Sequence, residues 1–181
     1  MTQEQDAATR VTVLSNGHCH KARAIAERVA SFGVDYHIVD VDGIGDEAHG
    51  FGPLFSDGRP HAPALVIAGK AWRNPSLEDI EKRLARANFV KPRAIHYPGQ
   101  QRVVWHLPPQ DAFASYSIRG NGTLVFGHIE TPPSLRGTGL GAKLAKELFD
   151  WIEASGLEAS ITCSFLRRVA ASRPDWAAAY L

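Results

Sequence analysis

The sequence predicts a mixed α/β protein built in two parts, and three observations carry that reading. A strand–helix–strand pattern opens the first half, three strands run into a glycine-rich turn and a helix in the second, and a stretch rich in Pro and Gly separates them. At 181 residues the chain is long enough for one medium domain or two small ones, with the apolar and charged fractions of an ordinary globular protein.

Taken in order, the polar stretch 1–10, "MTQEQDAATR", lacks the apolar core of a secretory signal and reads as a frayed leader, so the expected location is cytoplasmic. "VTVLS" (11–15) is a short β-type run. "HKARAIAERVASF" carries Ala22, Ile25, Ala26, Val29 and Phe32 at helical spacing, with Gly33 where a C-cap is wanted. "VDYHIVDVD" alternates apolar and polar residues, which completes a βαβ unit with a parallel strand pair. Residues 43–60 hold too much Gly for a good helix. "ALVIAGKAW" then reads as a buried strand turning at Gly69, and "SLEDIEKRLARA" as a helix opened by a Ser76–Asp79 capping box.

Pro92, Pro98 and Gly99 interrupt the pattern over 89–101, read as an ordered linker. "RVVWHL" (102–107), "FASYSIR" (113–119) and "TLVFGHIET" (123–131) are three strands, the last two joined by "GNG" with the chemistry of a primed hairpin turn. After the loop, "GAKLAKELFDWIEAS" places Leu144, Leu148, Trp151 and Ile152 on one helical face and ends at Gly156. "LEASITCSF" is a further strand, and one or two short helices broken at Pro174 finish the chain. Trp105, Phe126, Phe149 and Trp151 are assigned to the core.

Composition excludes several functions. With a net charge of +1 and basic residues scattered among acids, apart from Arg167–Arg168, there is no electrostatic footprint for nucleic acid, and no apolar run can span a bilayer. Two cysteines, Cys19 and Cys163, make neither a disulfide framework nor a four-ligand zinc pattern, and the eight histidines show no HExxH spacing, so no metal is expected. Oligomeric state is not legible.

The loop "RGTGLGA", Arg136 to Ala142, carries the sharpest chemistry. Three glycines spaced by two let backbone N–H groups approach an anion at a helix start. The GxxxxGK[ST] phosphate loop is absent, and the dinucleotide fingerprint, although satisfied by "GTGLGA", belongs at the first βα turn of a large parallel sheet. Coenzyme A suits the sequence better, its pyrophosphate on the helix N-terminus and its pantetheine arm along the preceding strand. At the other end of the chain, Cys19 stands at a helix N-terminus between His18 and His20, a setting in which thiols are reactive.

Two resemblances follow. Residues 10–88 resemble the glutaredoxin branch of the thioredoxin-like fold through the order strand, Cys19, helix, "GVDYHIVDVD" and "HAPALVIAGK", where Pro63 matches the family's cis-proline. The CxxC motif is not kept: "CHKA" has Ala22 at the resolving position, so the resemblance implies only mixed-disulfide or glutathione chemistry at Cys19. Residues 94–181 resemble the GNAT N-acetyltransferase superfamily, whose loop [QR]xxGx[GA] is matched by Arg136, Gly139 and Gly141. More closely, "GHIETPPSLRGTGLGAKLAKEL" and "GLEASITCSFLRRVAASRPDW" resemble its compact branch, with Ile129 in place of a threonine and Ser164 in place of a proline.

The expected fold is thus α/β (α+β), a thioredoxin-like domain followed by a small GNAT acyl-CoA N-acyltransferase fold with a mixed sheet. The second resemblance implies acetyl-CoA as cofactor and an amine, small-molecule or protein, as acceptor. It assigns cofactor binding to Ile129, Thr131, Arg136, Gly137, Thr138, Gly139, Leu140, Gly141 and Arg168, and catalysis to Glu130, His128 and Cys163. Glu130 is the preferred base over His128, and the two share a strand face because they lie two apart. Cys163 is weighed as an acetyl acceptor or an acid for the thiolate, with Tyr116 and Tyr180 as weaker acids. Two rival readings stay open: a non-enzymatic acetyl-CoA sensor or adaptor, and a monothiol redox protein acting through Cys19 and Pro63.

Overall fold

Five consecutive buried residues, Val11–Ser15, make the first strand (β1) the middle of a sheet covered on both faces, which is why its sequence does not alternate. The computed structural model describes residues 11–43 and 47–181; the leader 1–10 and part of the Gly-rich stretch, 44–46, lie outside the described residues. The chain forms two compact units, Met1–Val90 and Lys91–Leu181.

In the first unit β2 (Tyr36–Asp40) runs parallel to β1, while β3 (Ala64–Ile67) is antiparallel to β1 and β4 (Lys70–Arg73) antiparallel to β3, in the order β2-β1-β3-β4. Helix α1 (His20–Ser31) connects β1 to β2 and starts at Cys19, its N-cap; beyond its C-terminus Gly33 takes a left-handed φ of 67°. Helix α2 (Leu77–Arg86) opens with the expected capping box, in which Ser76 and Asp79 each bond the other's backbone N–H. Directly opposite pairs share a face, so Leu14, Ala64 and Val66 join Val39, Ala48 and Phe55 in one core layer. Val11, Val13, Leu65 and Ile67 point the other way, toward α1 and α2.

Two expectations change here. The alternation of "VDYHIVDVD" buries only Val34 and Val39, because β2 is a sheet edge whose Tyr36 and Ile38 remain exposed. The Gly-rich stretch holds a 3-10 segment, Ala48–Leu54, whose Ala48, Phe51 and Leu54 cap the core. The Ala62–Pro63 bond is cis, as the resemblance implied.

In the second unit β5 (Ala94–Tyr97), β6 (Arg102–Trp105), β7 (Ala112–Ile118) and β8 (Leu124–Glu130) form an antiparallel meander, and β9 (Ala159–Ile161) adds parallel to β8, giving a mixed sheet. Helix α3 (Leu140–Ser155) joins β8 to β9 and buries Leu144, Leu148, Phe149 and Ile152; α4 (Ser164–Ala170) and α5 (Pro174–Tyr180) follow. Trp105, Phe126 and Phe149 are core residues as expected, and Trp151 is only half-buried. Among the described residues no helix is long and apolar enough to cross a membrane.

Three local expectations are corrected. The stretch read as a linker contains β5, a four-residue strand hidden between prolines, and a 3-10 turn at Pro98–Gln100. The "GNG" turn is not primed: Gly122 alone has a positive φ, 90°, and its N–H bonds Arg119 O at 2.8 Å, the pattern of a three-residue hairpin ending in a left-handed glycine. Cys163 lies past the end of β9, as N-cap of α4.

Candidate active site

Two irregularities in β8 create the site. Between Ser115↔His128 and Tyr116↔Phe126 the register skips Gly127, a bulge that re-aims the rest of the strand. On its other side β8 pairs with β9 only up to Phe126, whose carbonyl accepts from both Thr162 N (3.0 Å) and Cys163 N (3.2 Å). Residues His128–Glu130 therefore have a neighbouring strand on one side alone, and their main chain borders an opening.

That opening is a cavity of about 460 Å³. Ile129, Glu130 and Thr131 form one wall, Arg136, Gly137 and Gly139 the loop, and Gly141 and Ala142 the first turn of α3; Leu135 and Phe165 complete it. The loop is rigid for identifiable reasons. Leu135 is fully buried, and the Thr138 hydroxyl donates to Leu135 O (2.7 Å) while accepting from Leu140 N (3.3 Å). Gly137 and Gly139 take φ values of 72° and 86°, conformations a side chain resists, and Gly139 is the N-cap of α3. The N-cap Gly139 brings no side chain to this helix start, no acid sits in its first turn, and Thr138 takes up only Leu140 N, so the positive end of the macrodipole faces the cavity. A Cβ on Gly141 would come within 3.4 Å of Phe165 Cζ and narrow the cavity further.

Beside the loop three charged groups are linked. His128 Nε2 lies 3.0 Å from Glu130 Oε2, and Arg136 Nη2 donates to Glu130 Oε1 at 2.6 Å while its Nε donates to Thr131 O at 3.3 Å. The bond from His128, followed by that from Arg136, holds the Glu130 carboxyl below the ordinary carboxylate range. An ionised carboxylate only accepts, so the His128 Nε2 carries the hydrogen and the imidazole lone pair is on Nδ1.

The structure thus gathers Ile129, Glu130, Thr131, Arg136, Gly137, Gly139 and Gly141 at one cavity, with His128 bonded to its wall. Thr138 braces the loop, Leu140 is buried, and Arg168 is exposed on α4 outside the lining. Arg167 is committed to Ile161 O at 3.2 Å. Cys163 is half-buried and does not line the cavity. Tyr116 is buried with its hydroxyl 2.7 Å from His96 Nε2, and Tyr180 stacks on Phe149; burial raises the pKa of both phenols, which belong to the core. Leu135, Ala142 and Phe165 escaped sequence reasoning; Phe165 is an apolar residue in a short helix that no motif marks.

In the first unit a second cavity, of about 410 Å³, is lined by Cys19 with Gly17, His18, Arg23, Tyr36 and Ile38 among others. Pro63 is not among its lining residues.

No curated protein matches the chain. Residues 102–179 match the family described as GCN5-related N-acetyl-transferase, which generally uses acetyl-CoA. The match covers the second unit from β6 onward, with the glycine loop, α3 and the cavity just described, and marks that part of the chain as a GNAT-type N-acetyltransferase domain.

Proposed function

We propose that the cavity between β8 and α3 binds acetyl-CoA and that His128 removes the proton from an amine acceptor. The observation that carries this reading is the glycine-led N-terminus of α3 behind a loop of two left-handed glycines and Arg136, opening into a cavity walled by the end of β8 that has a neighbouring strand on one side alone. That cradle fits a pyrophosphate: backbone N–H groups and a guanidinium converge on it, and Gly139 and Gly141 leave room for close approach. Bound there, the cofactor supplies the acetyl group as an activated thioester. Arg136, Gly137, Gly139 and Gly141 hold the diphosphate, and Ile129 and Thr131 line the path of the pantetheine arm.

The proton chemistry then belongs to His128. Its Nδ1 accepts the amine proton, and Glu130 fixes the ring and stabilises the imidazolium that forms. Glu130, preferred as base from sequence, is a poor one with its carboxyl held low by two partners. Main-chain N–H groups of 128–130 that point away from β7 would be the donors to a thioester carbonyl held there.

Calorimetric titration of the intact chain with acetyl-CoA, followed by thiol release over an amine panel, tests this. Micromolar binding with amine-dependent release is the expected result; a folded chain that binds no acetyl-CoA would overturn it, and binding without amine-dependent release would favour the sensor or adaptor reading.

The first unit we read as thioredoxin-like, on the strand order β2-β1-β3-β4 with a parallel β1–β2 pair and antiparallel β3 and β4. Cys19 at the N-cap of α1, lining a cavity and with Ala22 one turn on, favours a second reading in which the unit carries monothiol chemistry. Incubation with oxidised glutathione should then add one glutathione to Cys19 by mass, and an unmodified Cys19 would leave the unit as a scaffold.

A further inference from the structure

The outer face of the second sheet carries a row of polar side chains that the acetyl-transfer chemistry does not use. Directly opposite residues share a face, and the pairings Tyr97↔Arg102, Arg102↔Ser115 and Ser115↔His128 string four residues across four strands. The row reads phenol, guanidinium, hydroxyl, imidazole. Beside it Val104↔Phe113 and Phe113↔Glu130 form a second row, apolar until it reaches the carboxylate that walls the cavity.

Arg102 stands out in this row. Its guanidinium carbon lies over the Phe113 ring, 4.3 Å from the centroid, and the same ring is 6.1 Å from the His128 ring. Among the described residues no carboxylate pairs with it. The acids of that face are committed: Asp111 accepts from Leu107 N (3.2 Å) and bonds His106 Nδ1 (3.0 Å), and Glu130 holds His128 and Arg136. Tyr97 is committed as well, its hydroxyl 3.1 Å from His106 Nε2. The result is an exposed cation, held in place by an aromatic ring, two strands away from the proposed base, a Cα separation of roughly 10 Å.

We infer that this face is the acceptor site and that the acceptor is a small amine bearing a carboxylate. The amine meets His128 Nδ1 beside the cavity, the carboxylate meets Arg102 as a planar two-point partner, and the intervening carbon chain lies over Phe113. Ser115, between the two, offers one further hydroxyl to a polar substituent. The inference rests on the reading of His128 as base and adds the class of substrate.

The test compares paired acceptors on the full chain: a series of amino acids with the amine several carbons from the carboxylate, and the same compounds with the carboxylate amidated. The free carboxylates are expected to show at least about tenfold higher kcat/KM, the worth of one charge-assisted contact, carried in KM. Arg102→Met should remove that preference and Arg102→Glu should invert it toward diamines, whereas Arg119→Met, at the far hairpin, should keep it. Equal kcat/KM for both members of each pair, or an unchanged preference in Arg102→Glu, would overturn the site. Acetyl-CoA titration of the same proteins separates the two levels. Acetyl-CoA binding with carboxylate-blind turnover removes the acceptor site alone, whereas nuclear magnetic resonance shifts at Arg102 and His128 on adding the amino acids, without acetyl-CoA binding, remove the transferase reading alone.

Discussion

His128→Gln is expected to lower kcat by about 10²- to 10⁴-fold, the usual worth of a positioned base, with little change in acetyl-CoA affinity. The glutamine amide keeps a donor toward Glu130 but has no lone pair of comparable basicity where Nδ1 was. Glu130→Gln should cost less, because it removes the group that fixes the tautomer and stabilises the imidazolium, not the base itself. The pH dependence carries the sign. A carboxyl whose folded pKa is depressed keeps its charge as pH falls through the ordinary carboxylate range and loses its contribution only lower, so the Glu130 brace persists to more acid pH than an unpaired carboxylate would allow. Steady-state kinetics across pH on both variants check this. Full kcat in His128→Gln, with the acid limb displaced in Glu130→Gln, would return the role of base to Glu130.

The glycine loop was legible because its chemistry is local. A glycine-lined approach to a helix start, read from Gly141 and found at Leu140, follows from residue types at fixed spacing, and so does the shared face of His128 and Glu130. What positions that loop was not legible, because it is set by register. Nothing in "TLVFGHIET" marks Gly127 as the bulged residue or Phe126 as the last to pair with β9; both depend on where Ser115 and Ile161 fall on neighbouring strands. Strand β5 was concealed by Pro92 and Pro98, which mark its flanks and not its interior, and it forms because β6 offers Arg102–Trp105 as partner. Phe165 reaches the cavity from a helix that follows β9, a contact across more than twenty residues that periodicity does not report. The exchange of roles proposed between Glu130 and His128 has the same origin. Arg136 is assigned to phosphate by its place in the motif, and of the pairings open to Glu130 the fold makes the one with this guanidinium.

Gly139→Glu is expected to weaken acetyl-CoA binding by a hundredfold or more, and two separable effects contribute. A side chain at φ 86° adds backbone strain of about 1–2 kcal/mol, and a carboxylate at the start of α3 sets like charge against the diphosphate at a cost of several kcal/mol. Gly139→Asn distinguishes them, since asparagine tolerates the left-handed region and brings no charge. Its affinity should stay within about tenfold of the parent, given roughly 1.4 kcal/mol per decade. Isothermal calorimetry with thermal unfolding of each apo protein reads both terms: strain lowers Tm with or without ligand, whereas the charge acts on the affinity. A carboxylate there also compensates the helix dipole, so the glutamate variant should lose less Tm than strain alone dictates while losing more affinity. Equal affinity losses in the two variants would mean that Gly139 is needed only for its backbone conformation, and the anion would then have to be held by Arg136 and the first turn of α3 without close approach at the N-cap.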